Sequence, residues 1–447
     1  MENKIKEENI NKLLLDLFNN SYNEYFAISN IKKLLDENGF ICLLENEKYE
    51  ISLGKSYYIL RDGSSIIAFK VPEKLDELYF KIVASHSDSP VLKIKENPTV
   101  IENGYNKLKV EKYGGMIVSS WLDKPLGIAG RVCYKNGNAI TTRLVNFPTN
   151  LIIPNVAIHQ NRDINNGFIY NPQIDLLPIL GLGNNDLFKE LLDSTKNKEE
   201  EILSYDLNLY NKEKAVLGGI NNEFIYSPKE DNLVSAYISI LSLISSISYD
   251  GISLGVVFNN EEVGSSSLNG ADSDFLATNL KRISKSLGFS NDELSRALVK
   301  SYLVSLDNAH AIHPNHPEKS DNKNKCYLNK GIVLKFNSSM NYTTDALSGS
   351  LIKKINEMIN LPTQIFFNRS DVRGGGTLGS ISMSHSSVLS CDIGLPQLAM
   401  HSAFETMGSE DIIYMVSLIE TFMSLDLKIS DGTIKITTTN KIKNKVL

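Results

Sequence analysis

The sequence predicts an α/β fold, a mostly parallel sheet with helices on both faces, interrupted by a β-rich inserted domain. Three observations carry that expectation. After Ser227-Pro228, strand-like apolar runs alternate with helical periods, the pattern of a parallel sheet covered on both faces. Earlier, the apolar run Leu78 to Ala84 stops abruptly at Ser85-His86-Ser87-Asp88-Ser89-Pro90, and a polar loop after a strand is where such sheets carry their sites. Between the two, residues 91–222 read as short strand-like pieces broken by Gly114-Gly115, Pro125-Leu126-Gly127 and Pro154-Asn155. Two domains follow: 1–90 joined with 223–447, and the insertion 91–222.

The elements read in order. Residues 9–39 form two short helices, the second ending on Gly39, which suits a left-handed cap. Tyr57 to Leu60 and Ile66 to Phe69, joined by Asp62-Gly63, have the pattern of a hairpin. Past the insertion come a helix at 232–247, a strand at 253–258, helices at 273–287 and 290–299, and strands at 301–306 and 332–336. A helix at 344–359, strands at 363–367 and 387–393 and a helix at 409–424 complete the alternation, and the lysine-dotted tail 435–447 reads as a solvated end.

Composition excludes several functions. The 447 residues are 42% hydrophobic and 22% charged, enough to build a large core and too apolar for disorder. Lys and Arg number 46 against 52 Asp and Glu, so the net charge of −6 offers no basic excess for nucleic acid. Cys42, Cys133, Cys326 and Cys391 form no CxxC pair, which argues against a disulfide framework or thiolate zinc. The charged start lacks a secretory apolar stretch, and the most apolar helical run, Leu233 to Ile247, is short for a membrane span. The expectation is a cytoplasmic protein with no membrane partner.

Five places set His, Asp or Glu at a strand end or helix start: His86, Asp231, Glu261-Glu262, Asp307 and His401. Imidazole and carboxylate are zinc ligands, and a hydrolytic two-metal site needs a carboxylate able to bridge the pair. Adjacent carboxylates in a loop point in different directions, so one of Glu261 and Glu262 can bind metal while the other faces water; a solvated acidic loop is the alternative. Asp88, two residues past His86, can accept the histidine's second N–H. Asp231 also suits a helix N-cap, and His401 alone suits a satisfied histidine. Three of seven histidines fall in His310-Ala311-Ile312-His313-Pro314-Asn315-His316.

Competing motifs sit in the wrong context. Gly251-Ile252-Ser253-Leu254-Gly255 matches a nucleophile elbow but precedes a strand. Gly374 to Gly379 matches G-x-G-x-x-G without a surrounding βαβ unit and reads as a permissive loop near a site, and no HExxH occurs.

Eight segments, in order over residues 80–405, resemble the aspartyl aminopeptidase family, metallo-aminopeptidases with co-catalytic zinc. They are Ser85 to Pro90; Gly114-Gly115 through Ser120-Trp121-Leu122-Asp123 to Ala129-Gly130-Arg131-Val132; Ile158 to Arg162; Asp231-Asn232-Leu233; Glu261 to Ser265; Asp307 to Asn315; Lys330 to Lys335; and Pro396 to Ser402. The resemblance implies two divalent ions per subunit, zinc with cobalt or manganese as alternatives. Asp231 would bridge them, with His86 and Asp307 on one and Glu262 and His401 on the other. Glu261 would be the general base and Asp88 would orient His86. His310 and Lys335 match substrate-contacting positions, and His159 matches a histidine that completes a neighbouring subunit's site. The implied activity is release of N-terminal residues from peptides with a free N-terminus, with a preference for Asp or Glu. The implied assembly is a dimer-based homo-oligomer, up to a tetrahedral dodecamer, built through the insertion.

The loop Asp371 to Thr377 departs from the family's animal members, and the first 50 residues match poorly. Open alternatives are a broad or neutral aminopeptidase, a single-ion site on His86, His159 and His401, a carboxypeptidase or deacylase of the same clan, and a non-catalytic scaffold.

Overall fold

The nine-stranded sheet at the centre of the molecule grows outward from four parallel strands whose residues are almost all apolar and buried. These are Ile252–Phe258, Phe80–His86, Tyr302–Leu306 and Leu389–Gly394, adjacent in that order. A strand buried on both faces needs a continuous apolar run rather than alternation, and all seven residues of Phe80–His86 are buried. The computed structural model describes residues 2–372 and 374–437. Arg373 in the loop 371–377 and the tail beyond residue 437 lie outside the described residues.

The sheet is mixed at its flanks. Ser65–Lys70 joins Ile252–Phe258 antiparallel and forms the expected hairpin with Ser56–Arg61, while Ile41–Leu43 adds in parallel at the edge. On the other side Ile332–Lys335 runs antiparallel to Leu389–Gly394 and parallel to Thr363–Phe366.

Helices cover both faces. Side chains of Glu24–Glu37, Glu230–Ser245, Ala346–Met358 and Ser409–Ser424 pack in one core with Val83 and Val304. Phe275–Ser286 packs in the other with Phe80, Ile82 and Ala84, so successive residues of one strand feed opposite cores. The helix Leu378–Ser386 follows the glycine-rich loop and was not expected from its periodicity.

Residues 91–211 build a separate six-stranded antiparallel sheet around Trp121, Ile128, Tyr134 and Leu209. Arg131 ties it to the central sheet, donating to Asp62 beyond the hairpin strand and to Asp206 in its own sheet. A third sheet was not foreseen. Val216–Gly218, Phe224–Ser227, Glu405–Gly408, Pro396–Leu398 and Ala309–His310 pair in that order, which draws Val216–Gly218 away from the insertion's sheet. Residues 426–437 form a hairpin where a solvated tail was expected to begin.

Candidate metal centre

Parallel strands end on the same edge, and the central strands therefore deliver their following residues to one place. Phe258 pairs with His86 in register, and Ser305 with Ala84, so His86, Glu261-Glu262 and Asp307 converge there. The helix Glu230–Ser245 starts at the same edge with Asp231, where Asp231 and Asn232 depart from helical geometry and share a cis peptide bond. His401 arrives from the loop after Pro396–Leu398.

Asp231 faces both ways. Its Oδ1 lies 3.7 Å from His86 Nε2 and its Oδ2 3.4 Å from His401 Nε2. Asp307 Oδ1 is 3.9 Å from His86 Nε2, and Glu262 Oε2 is 3.3 Å from His401 Nε2. Two donor groups result, His86 with Asp231 and Asp307, and Asp231 with Glu262 and His401; Glu261 groups with His86 and Glu262. Zinc bonds of about 2.0–2.1 Å in a tetrahedron put ligand atoms roughly 3.3 Å apart. Asp231 Oδ1 and Glu262 Oε1 are buried without a hydrogen-bond partner among the described residues, a costly state that a bound cation relieves. The donor set fits zinc at both groups.

Both histidines are set to bind through Nε2. Nδ1 of His401 lies 2.6 Å from the Gly115 carbonyl, and Nδ1 of His86 lies 3.1 Å from the Asp88 carbonyl and 3.3 Å from its Oδ1. Oxygens of these kinds only accept, so Nδ1 carries a proton in either case, and Nε2, on the carboxylate side, is the nitrogen a cation could take. Asp88 does more than orient His86. Its oxygens also accept the backbone N–H groups of Glu261 and Glu262 and the Tyr113 hydroxyl, fixing the acidic loop against the strand end. Gly114, at φ 72, lets the chain turn where a Cβ would sit 3.1 Å from Glu262 Cβ.

Charge is unevenly distributed. Burial raises the Glu261 carboxyl to about 8, with neighbouring Asp307, Asp88 and Asp231 adding to it against the pull of His86, and the same cause pushes Glu262 well above the usual range. Burial would also raise Asp307, but the Lys335 ammonium and His86 hold it down to about 2. Lys335 is buried rather than solvated, donating to the carbonyls of Asp307 and Asn308 with its Nζ 3.6 Å from Asp307 Oδ2. His310 lines a cavity of about 360 Å³ with His313, His316 and Gln397; desolvation of its ring by the surrounding groups and the Lys335 charge lower its pKa.

The structure thus brings together His86, Asp88, Asp231, Glu261, Glu262, Asp307 and His401, with His310 and Lys335 alongside. His159 stands apart, exposed in the 152–171 loops, and joins no donor group among the described residues. Ser253 of the apparent nucleophile elbow is buried and donates to the Met423 carbonyl. Sequence reasoning missed Tyr113 and Glu405; the latter is buried, bonded to the backbone N–H of both Asp231 and His401, and only its place four residues after His401 hinted at it.

Comparison with known proteins identifies the family. Residues 17–423 match the family described as aminopeptidase I zinc metalloprotease (M18). A Clostridium novyi protein described as "Probable M18 family aminopeptidase 2" is 44% identical over 436 residues, covering 95% of this chain and 100% of its own. The Ape4 chain from a complex with Nbr1 superposes with a TM-score of 0.89 at 33% identity, over 94% of this chain and 86% of that one. A chain of the S. cerevisiae mApe1 dodecamer gives 0.80 at 25% identity, over 93% and 96%. The chain is a member of the M18 family of zinc aminopeptidases, which release N-terminal residues from peptides.

Proposed function

We propose that this aminopeptidase works with two zinc ions, one held by His86 and Asp307 and one by Glu262 and His401, with Asp231 shared. The single observation that carries the reading is Asp231, whose two oxygens face the two histidines from opposite sides. Bound there, the ions supply Lewis acidity to the scissile carbonyl and lower the pKa of water. Glu261, outside the two groups that meet at Asp231, is the carboxylate left to take the proton from the attacking water and return it to the leaving amine. A free α-amino group bound beside the two ions would limit cleavage to the chain end.

An acidic first residue is the preferred substrate. Lys335 is a buried positive charge near enough to His310, which lines the cavity, to lower its pKa, and a cation in low dielectric acts at longer range than one in water. Across Asp-, Glu-, Leu- and Lys-terminal substrates, kcat/KM is expected to be at least about tenfold higher for the acids, roughly 1.4 kcal/mol of discrimination. Equal rates would replace this with a broad specificity.

Residues 91–222 form the assembly domain of a homo-oligomer, dimer-based and extending to a dodecamer. Exposed apolar side chains on it, among them Ile140, Ile158, Ile169, Ile174 and Leu182, support the reading, as does the dodecamer of the related yeast protein. His159 lies on this part, exposed, and is assigned to the neighbouring subunit's site as a substrate contact. The His159→Ala protein is expected to keep its zinc and its mass by light scattering while losing most activity. Loss of zinc would make His159 a ligand, and a monomeric mass for the wild type would remove the assembly. The four free cysteines suit a reducing compartment, and we place the enzyme in the cytoplasm; oxidised cysteines in protein from its native cells would exclude that.

A further inference from the structure

Asp231 and His401 reach the centre on segments running in opposite directions. Phe224–Ser227 and Glu405–Gly408 pair antiparallel with Ser227 opposite Glu405. Asp231 lies four residues past the first of that pair and His401 four before the second. Glu405 closes the gap between them: it is 2% exposed, its Oε1 accepts the His401 N–H at 2.7 Å and its Oε2 accepts the Asp231 N–H at 3.2 Å. Among the described residues no basic group makes an ion pair with it. A buried carboxylate without such a partner is expensive, and here its two oxygens are spent on the backbones of two residues that face each other across the centre.

His401 adds a second observation. Its φ of 67° is in the left-handed region, which side chains other than glycine enter at an energetic cost. The 2.7 Å bond from its N–H to Glu405 offsets that cost and keeps Nδ1 on the Gly115 carbonyl. His86 and Asp307 have separate supports, Asp88 and Lys335.

We propose that Glu405 is a positioning residue, a single carboxylate strut that fixes the backbones of the shared ligand Asp231 and of His401 relative to each other and so sets the affinity of the Glu262–His401 position. The proposal rests on the two-ion reading. A glutamine at 405 can accept through one oxygen only and turns its NH₂ toward the other N–H. An aspartate keeps the carboxyl group and both of its oxygens on a shorter stem.

The test titrates zinc into metal-free wild-type, Glu405→Gln and Glu405→Asp proteins against a coloured zinc chelator, with circular dichroism of each metal-free protein alongside. In the Gln variant one of two sites is expected to weaken by about 10–100-fold, the other to stay near wild type, and the dichroism to be unchanged. The Asp variant should recover part of the lost affinity. Wild-type affinity at both sites in Glu405→Gln overturns the strut, and so does equal weakening of both with altered dichroism. Should Glu405→Gln fail to fold, Glu405→Asp decides by the same criteria, selective weakening supporting the strut and unchanged affinity overturning it. A wild type that binds fewer than two zinc ions refutes the two-ion reading instead.

Discussion

Glu261→Gln is expected to lower kcat by about 10²–10⁴-fold, the range for removal of a positioned general base, with zinc content unchanged. The substitution preserves shape and removes only the ability to take a proton. Glu261 lies outside the two donor groups that meet at Asp231, and its backbone is held by its own N–H on Asp88, which the variant keeps. KM should change little, since Glu261 has no assigned part in holding the substrate. Steady-state kinetics and metal analysis on the same preparation check this. Activity above about a tenth of wild type, with zinc in place, would end the assignment of Glu261 as base.

Zinc removal is expected to destabilise the protein, increasingly so as pH rises from 5 to 8. Binding that saturates the folded state at a thousand times Kd contributes about 4 kcal/mol per site, all of it lost on chelation. What remains is a cluster of carboxylates with little to balance it. Glu261 and Glu405 sit at about 8 in the folded protein against 4.5 for an ordinary glutamate. Between those values the folded state holds more protons than the unfolded one, so stability falls as pH rises. His401, raised to about 9 chiefly by Asp231 against the effect of burial, adds stability below 6.5 that is lost through 9, the same direction. Asp307, held near 2, acts oppositely but only below 3.8. Thermal unfolding should therefore show a chelated protein whose midpoint drops across this range and a zinc-loaded one that stays nearly level. A midpoint indifferent to chelator would sink the metal reading of the cluster.

Much of the site could be read from local pattern because its residues stand at ends of regular elements. The run Phe80 to His86 announces a buried strand and its break at Ser87 announces a loop, and the same logic places Glu261 and Asp307. Resemblance then supplied the role proposed for each carboxylate. Asp88 was legible as a partner for His86, since two residues in a tight turn suffice, but its hold on the 261–262 loop spans 173 residues of sequence and leaves no local trace.

The third sheet failed to register for a related reason. Its strands are two to four residues long, too short to show a period, and its pairing of Phe224–Ser227 with Glu405–Gly408 is non-local. Glu405 was invisible with it, because a buried glutamate bonded to main-chain N–H groups looks like any other acid in sequence. Lys335 matched a substrate-contacting position, with nothing in the sequence to show that it is buried. Its burial depends on strand Ile332–Lys335 running antiparallel to Leu389–Gly394, an arrangement alternation alone does not specify.

The hydrogen bond from His401 to Gly115 has an implication for engineering. Gly115 and Tyr113 belong to the 91–222 stretch, yet one holds Nδ1 of His401 and the other braces Asp88. A minimal enzyme made by splicing residue 90 to residue 223 would keep every proposed ligand and lose the groups that aim two of them. The hydrolytic machinery is in this sense bipartite, and any transplant of it to another scaffold must carry the Tyr113–Gly115 corner along.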